Sequence, residues 1–248
     1  MKPLASVDEE GLAAEWDAIA EIRHRQITSG VDVSYNQVLT PAILSLCRNR
    51  DLERVLDVGC GSGVLTRSLA QLGRRVVGVD LSATSIELAR AWCRDQDNVT
   101  LVHSTIEEYA RSTRGDCASL VVANMTLMDC ADLPGTLRAI ADLSAPGSYC
   151  VGTITHPCFW PIYWGYAREA WFEYDREIAI RTRFAIQHEE SELETTHFHR
   201  PVTKYLRAFS DAGFRIDVLD ELGASERPML PWHGTYPKFL GFRLVRNG

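Results

Sequence analysis

An apolar run, a glycine-rich turn and a helical pattern follow one another between positions 54 and 71. No other stretch of the chain restricts its fold so strongly. Residues 54–58 are mostly apolar, Gly59-Cys60-Gly61-Ser62-Gly63 alternates glycine with small residues, and 64–71 has helical spacing. A strand that passes through such a turn into a helix is the opening unit of an α/β sheet. The alternation then continues, with strands expected at 75–79, 99–103, 119–124 and 149–155 and helices at 83–94, 106–110 and 133–143. Strands that alternate with helices imply a parallel sheet covered on both faces. The expected fold is therefore α/β.

Outside that core the pattern changes. Residues 8–28 read as an amphipathic helix with Leu12, Trp16, Ile19 and Ala20 on one stripe, stopped by Gly30, and a second helix is expected at about 36–48. Trp16 reads as core-facing. After 155 come eight aromatics, Phe159, Trp160, Tyr163, Trp164, Tyr166, Trp171, Phe172 and Tyr174. Segments 176–184 and 192–199 alternate and read as a hairpin. Pro201 suits the first turn of a helix ending at Gly213, and 214–219 and 239–245 read as closing strands. The expected organisation is a helical N-terminal lid (1–51), a sheet domain (52–155 with 201–248) and an aromatic-rich cap (156–200).

The glycine spacing separates two kinds of ligand. A dinucleotide fingerprint needs Gly-x-Gly-x-x-Gly, and its third glycine would fall at Val64. The motif here is Gly-x-Gly-x-Gly with Asp57 two residues before it. A carboxylate there repels a pyrophosphate and attracts an ammonium. The second strand leads into Asp80, whose carboxylate can accept both hydroxyls of a ribose. Together they favour an adenosine ligand with an amino-acid tail and disfavour a nicotinamide-dependent oxidoreductase.

Charge and cysteine usage narrow the class further. With 26 basic and 33 acidic residues the formal net charge is −7, the opposite of a general nucleic-acid binder. The seven cysteines include no Cys-x-x-Cys pair, which argues against a disulfide framework or a thiolate zinc site. No apolar run reaches the roughly 20 residues of a bilayer span, and positions 1–10 show no export signal. The expectation is a cytoplasmic protein, monomer or homodimer, without metal, membrane or nucleic-acid partner.

The segment Leu56-Asp57-Val58-Gly59-Cys60-Gly61-Ser62-Gly63, then Val77-Gly78-Val79-Asp80-Leu81-Ser82, resembles the class I S-adenosylmethionine-dependent methyltransferases of the small-molecule type. So do 119–125 and the Ala145-Pro146-Gly147-Ser148 turn. The resemblance covers about 52–155 and, more loosely, 201–246. It implies a seven-stranded Rossmann-like sheet with an antiparallel last hairpin, and S-adenosyl-L-methionine as cofactor. It places Gly59, Cys60, Gly61 and Gly63 along the methionine moiety, Asp57 near its ammonium, Asp80 on the ribose and Leu81 on the adenine. Ser104, Thr105 and Ile106 fall where the family holds the adenine. The first of these is usually acidic, and Ser104 leaves that contact to a backbone carbonyl. Asn124 and Met125 would end the fourth strand beside the sulfonium, and Tyr35 and Trp16 are the candidate lid aromatics over the methionine, with the core-facing reading preferred for Trp16.

For the acceptor, the aromatic block implies a flat, largely apolar small molecule, with Trp160, Tyr163 and His199 as binding candidates and about half of the rings facing a pocket. His156 follows the fifth strand directly. It reads either as a general base or as a histidine capping the strand end. His197 and His199 alternate on one strand face, and a hydrogen-bonding role is favoured over zinc. The expected function is methyl transfer to a secondary metabolite or other aromatic or apolar metabolite, at O, N or C. A catalytically inactive, cofactor-binding regulatory protein of the same fold is the alternative.

Overall fold

The computed structural model describes residues 1–113, 115–186, 189–224 and 235–248; the stretch 225–234 of the segment assigned to the sheet domain lies outside them. In chain order the elements are β1 (Lys2–Leu4), α1 (Glu9–Thr28), a π-helical turn (Tyr35–Leu39), α2 (Thr40–Leu46), β2 (Arg54–Val58), α3 (Val64–Ala70), β3 (Arg75–Asp80), α4 (Ala83–Trp92), β4 (Val99–His103), α5 (Ile106–Ser112), β5 (Ala118–Asn124), α6 (Leu133–Asp142) and β6 (Ser144–Thr155). There follow α7 (Trp160–Tyr163), a short 3-10 turn (Tyr166–Arg168), β7 (Ile178–Ile186), β8 (Glu189–His199), α8 (Val202–Asp211), β9 (Phe214–Ala224) and β10 (Pro237–Arg246).

Seven strands form one sheet in the order β4-β3-β2-β5-β6-β10-β9. β2 pairs in parallel with both β3 and β5, and β10 runs antiparallel between β6 and β9. Alternate side chains feed two cores. Leu56, Val121, Phe209 and Phe242 pack on one face, and Val55, Leu120, Leu69 and Ile43 on the other. Burial on both faces explains why β2 and β5 read as continuous apolar runs. The parallel order reverses between β2 and β5, and their carboxyl ends open onto one crevice.

Three details differ from the expectation. The helix expected at 36–48 begins as a π turn: Pro41 has no N–H to give residue 37, and Thr40 N reaches back five residues to Tyr35 O. Pro201 sits at the N-cap of α8, one position before its first turn. The N-terminus contributes a strand, β1, that pairs antiparallel with β7 (Lys2↔Arg181, Leu4↔Ala179). With the expected hairpin β7–β8 it forms a separate three-stranded sheet. Three residues carry no readable alternation, so β1 was invisible in the pattern.

α1 joins the two sheets. Asp8 caps it, its Oδ1 accepting from Gly11 N at 2.6 Å. From its side, Asp17 Oδ1 accepts from Ser82 Oγ (2.6 Å) and Thr84 N (2.9 Å) at the start of α4. Glu15 accepts from Thr196 N (2.7 Å) and Thr196 Oγ1 (3.1 Å) on β8 and pairs with Arg181 on β7. Arg25 and Gln26 both donate to Glu189. The N-terminal helix is thereby bound to the β1–β7–β8 sheet and to the large sheet together.

Candidate active site

A cavity of about 510 Å³ lies at the carboxyl ends of the parallel strands, enclosed by α1, the π turn, α7, β7 and β8. One wall is the loop between β2 and α3. Gly59 and Gly61 have φ of +65° and +53°, in the left-handed region that favours glycine. A Cβ at Gly59 would strike the side chain of Thr126, 2.5 Å away, whereas a Cβ at Gly61 would meet no atom within 4 Å. Gly61 therefore faces open cavity: the loop forms a cradle that any side chain would fill.

Two acids stand behind that loop. Asp80, at the end of β3, accepts from Gly61 N through Oδ2 and from Ser82 N through Oδ1, both at 2.8 Å. These bonds fix the plane of the carboxylate and leave its remaining lone pairs toward the cavity. Burial pushes its pKa up, against the pull of the two backbone donors. Asp57, 1% exposed, accepts from Thr66 Oγ1 at 2.6 Å. Burial pushes it up to about 7; the Thr66 bond opposes that rise and the charge of Asp80 adds to it. An acid so poised gains from an ammonium more than from water.

The loop after β5 forms the floor. Met125 has φ +55°, an unusual conformation for a side chain-bearing residue, and its N donates to Thr153 O at 2.9 Å. Thr126 Oγ1 donates to Val58 O at 3.0 Å and so locks this loop to the end of β2. Asn124 Oδ1 accepts from Thr153 Oγ1 at 2.6 Å. Ser104 Oγ donates to Thr105 O (2.9 Å), and Thr105 caps α5 by accepting from Glu108 N.

The structure brings most of the expected residues to this cavity. Tyr35, Asp57, Gly59, Cys60, Gly61, Asp80, Leu81, Ser104, Thr105, Ile106, Asn124, Met125, Trp160 and Tyr163 all line it. Gly63, His156 and His199 do not. Gly63 is required by packing: a Cβ there would lie 2.9 Å from Ala89 Cβ on α4. The imidazole of His156 is buried with both nitrogens engaged, Nδ1 accepting from Cys158 N (3.2 Å) and Nε2 facing Glu221 Oε1 (3.1 Å). It caps the strand end, and burial lowers its pKa against the pull of Glu221. The general-base reading is corrected to the structural one. His199 bonds Tyr174 O at 2.9 Å and packs on Phe172, turned into the cap's own core.

Trp16 needs the opposite correction, since it lines the cavity rather than the core of α1. Of the eight cap aromatics only Trp160, Tyr163 and Trp164 reach the cavity. The centroids of Trp160 and Tyr163 stack 5.4 Å apart, with Lys238 Nζ 5.0 Å from the Tyr163 ring. Tyr166, Trp171 and Phe172 build a small core around His199. A cap must fill its own interior as well as face a ligand, and composition does not divide the rings between the two. Sequence reasoning also missed Asp129, and it gave His197 a hydrogen-bonding role without placing it in the site; both line the cavity. Among the described residues no three His, Cys, Asp or Glu are grouped to hold a metal ion, and no helix is long and apolar enough to cross a membrane.

Residues 55–147 match the methyltransferase domain family. That match, over somewhat more than a third of the chain, supports a class I S-adenosylmethionine-dependent methyltransferase. A ubiquinone biosynthesis O-methyltransferase of Aromatoleum aromaticum is 32% identical over 138 residues, which cover 54% of this chain and 58% of that protein. The chain thus spans somewhat over half the length of that relative. An S-adenosylmethionine-dependent methyltransferase of Clostridium acetobutylicum has the same fold at 16% identity, with a TM-score of 0.65 over 94% of this chain and 99% of that one. DhpI, in its complex with SAH, superposes with a TM-score of 0.64 at 17% identity over 96% and 97% of the two chains. The residues of this cavity fit S-adenosylmethionine, the cofactor of the matched family. The cradle at Gly61 is open, a carboxylate is pre-oriented at Asp80, and a buried acid stands at Asp57.

Proposed function

We propose that the protein methylates a hydroxyl group on a flat, largely apolar small molecule. The observation that carries this reading is the division of one cavity into two unlike walls. The Gly59–Gly61 loop with Asp57 and Asp80 faces stacked rings, Trp160 and Tyr163, from the cap. Bound S-adenosylmethionine supplies an electrophilic methyl on a sulfonium. What the protein must add is position, and holding two reactants in line is worth several kcal/mol of barrier. In this reading Asp80 holds the ribose hydroxyls, Asp57 and Tyr35 lie on the methionine side, and Leu81, Thr105 and Ile106 hold the adenine. The segments 1–51 and 156–200 enclose the acceptor. The name of the Aromatoleum relative supports oxygen as the accepting atom.

Calorimetric titration with S-adenosylmethionine, S-adenosylhomocysteine and NAD tests the cofactor half of this proposal. The first two should bind and the third should not. Turnover of methyl-labelled cofactor with catechol and related ring hydroxyls tests the acceptor half. Binding without turnover across ring alcohols, amines and acids would replace it by the regulatory reading.

A further inference from the structure

We propose that Asp129 is the group that takes the proton of the acceptor hydroxyl, that Arg200 holds it in position, and that His197 is its neighbour on the same wall. This rests on the hydroxyl-acceptor reading above and deepens it. Asp129 lies five residues beyond the end of β5, in the loop that starts at Met125 with its strained backbone. Its carboxyl lines the cavity, and among the described residues no hydrogen bond or ion pair reaches it.

The loop is shaped to present it. The side chain of Arg200 is 0% exposed, and it serves the backbone of this loop: Nη1 donates to Leu127 O (3.2 Å), Nη2 to Cys130 O (2.6 Å) and Ala131 O (3.2 Å). Its Nε donates to Glu177 Oε1 at 2.8 Å. The guanidinium is thereby committed to carbonyls on both sides of Asp129, and it lends that carboxyl a field without a bond. Phe198 N donates to Met128 O at 2.8 Å, which sets β8 against the same loop. The residue before Phe198, His197, also lines the cavity, and its Nε2 is buried with no partner among the described residues.

Asp129 is half-buried and opens to the cavity, and His197 Nε2 is buried without a partner among the described residues; a bound hydroxyl can satisfy both groups. The charged groups around Asp129 are Arg200, which holds its pKa down, and Glu15 on α1, which pushes it up; burial, the largest influence, raises it well above the usual carboxylate range. Burial holds His197 down to about 4, so it is neutral at neutral pH. Of the two, Asp129 is the group that is anionic when ionised, so it can take a proton without acquiring a positive charge in the cavity.

The transfer balances. The hydroxyl oxygen forms a bond to the methyl carbon, the carbon–sulfur electron pair returns to sulfur, and the hydroxyl proton passes to Asp129. One sulfonium and one carboxylate become a neutral thioether and a neutral acid, which then loses its proton to water.

The test compares Asp129→Asn with the wild-type full chain on two acceptors, catechol and the more acidic 4-nitrocatechol. With catechol the variant should lose about 10²-fold or more in kcat, with the acid limb of its pH profile gone and its affinity for S-adenosylhomocysteine unchanged. With 4-nitrocatechol at a pH where its hydroxyl is already ionised, the loss should shrink to less than about tenfold, because no proton remains to be taken. Removal of the neighbouring carboxylate should also lower the pH at which bound 4-nitrocatechol ionises in the S-adenosylhomocysteine complex, read by its phenolate absorbance. Equal losses on both acceptors, or an unmoved titration of the bound dye, overturn the assignment of Asp129 while methyl transfer to hydroxyls stands. A wild-type protein that methylates neither catechol overturns the hydroxyl-acceptor reading, and the assignment with it.

Discussion

On the glycine side of the cavity, the polar contacts that shape the loop run mostly to backbone groups close by in the large sheet. Asp80 takes the N–H groups of Gly61 and Ser82, and Thr126 bonds Val58 O. On the cap side they span the chain through side chains. Glu15 holds Thr196 from 181 residues away, and Arg200 holds Leu127 from 73. The first wall is a property of the fold itself, since backbone donors and positive-φ glycines survive almost any change of side chain. The second exists only because α1, β1, the loop after β5 and the hairpin β7–β8 assemble together. The cofactor wall can therefore stay constant while the acceptor wall is rebuilt, and substitutions on the two walls should have separable effects.

The largest separation is expected at Gly61. A valine there fills the open cradle and strains a backbone at φ +53°. Gly61→Val should lower affinity for S-adenosylhomocysteine by about 100-fold or more in calorimetry, and the far-ultraviolet circular dichroism should stay that of the wild type, since the loop lies outside both cores. A variant that binds as the wild type does would place the cofactor elsewhere.

Trp160→Ala strikes the other wall. It removes a ring stacked on Tyr163 and packed 5.9 Å from Phe239, both cavity residues. The acceptor KM should rise about tenfold, on the scale of a lost aromatic contact of about 1–1.5 kcal/mol. The affinity for S-adenosylhomocysteine should remain within about twofold. The reverse pattern would move the rings into the cofactor site and end the comparison.

The same contrast governs what was legible in the sequence. The seven-stranded sheet, Asp57, Gly61 and Asp80 are encoded by neighbours: strand, turn, helix and a carboxylate at a fixed remove. The cap's separate sheet was half legible, because β7 and β8 alternate but the three residues of β1 do not. The acceptor wall was not legible. Asp129 follows a buried apolar stretch with no motif around it, and its exposure to the cavity depends on Arg200, far along the chain. His156 and His199 drew attention by their place at a strand end and on a strand face, yet both are spent inside the protein, while His197, two residues from His199, reaches the cavity. Which residue on β8 faces the ligand is set by how the hairpin packs against the loop after β5. For Trp16 the less favoured of two readings holds for a related reason: an amphipathic stripe reports burial without telling a core from a cavity.

A smaller effect tests the electrostatic side of the cofactor wall. Asp57 is held at about 7 by burial, far above its ordinary 3.8, so between these values the folded protein binds a proton that the unfolded chain has released. Stability from this site is therefore present at acid pH, falls as the pH rises toward about 7, and stays lost above it. Asp57→Asn removes the titration but keeps a side-chain amide for Thr66. The variant should melt several degrees above the wild type at alkaline pH, and the two melting temperatures should converge only as the pH falls from about 7 toward 3.8. S-adenosylhomocysteine, whose ammonium compensates the buried carboxylate, should raise the wild-type melting temperature at alkaline pH more than that of the variant. Parallel melting curves for the two proteins at every pH, with equal shifts on ligand binding, would mean that Asp57 neither carries a buried charge in the empty cavity nor meets an ammonium in the filled one.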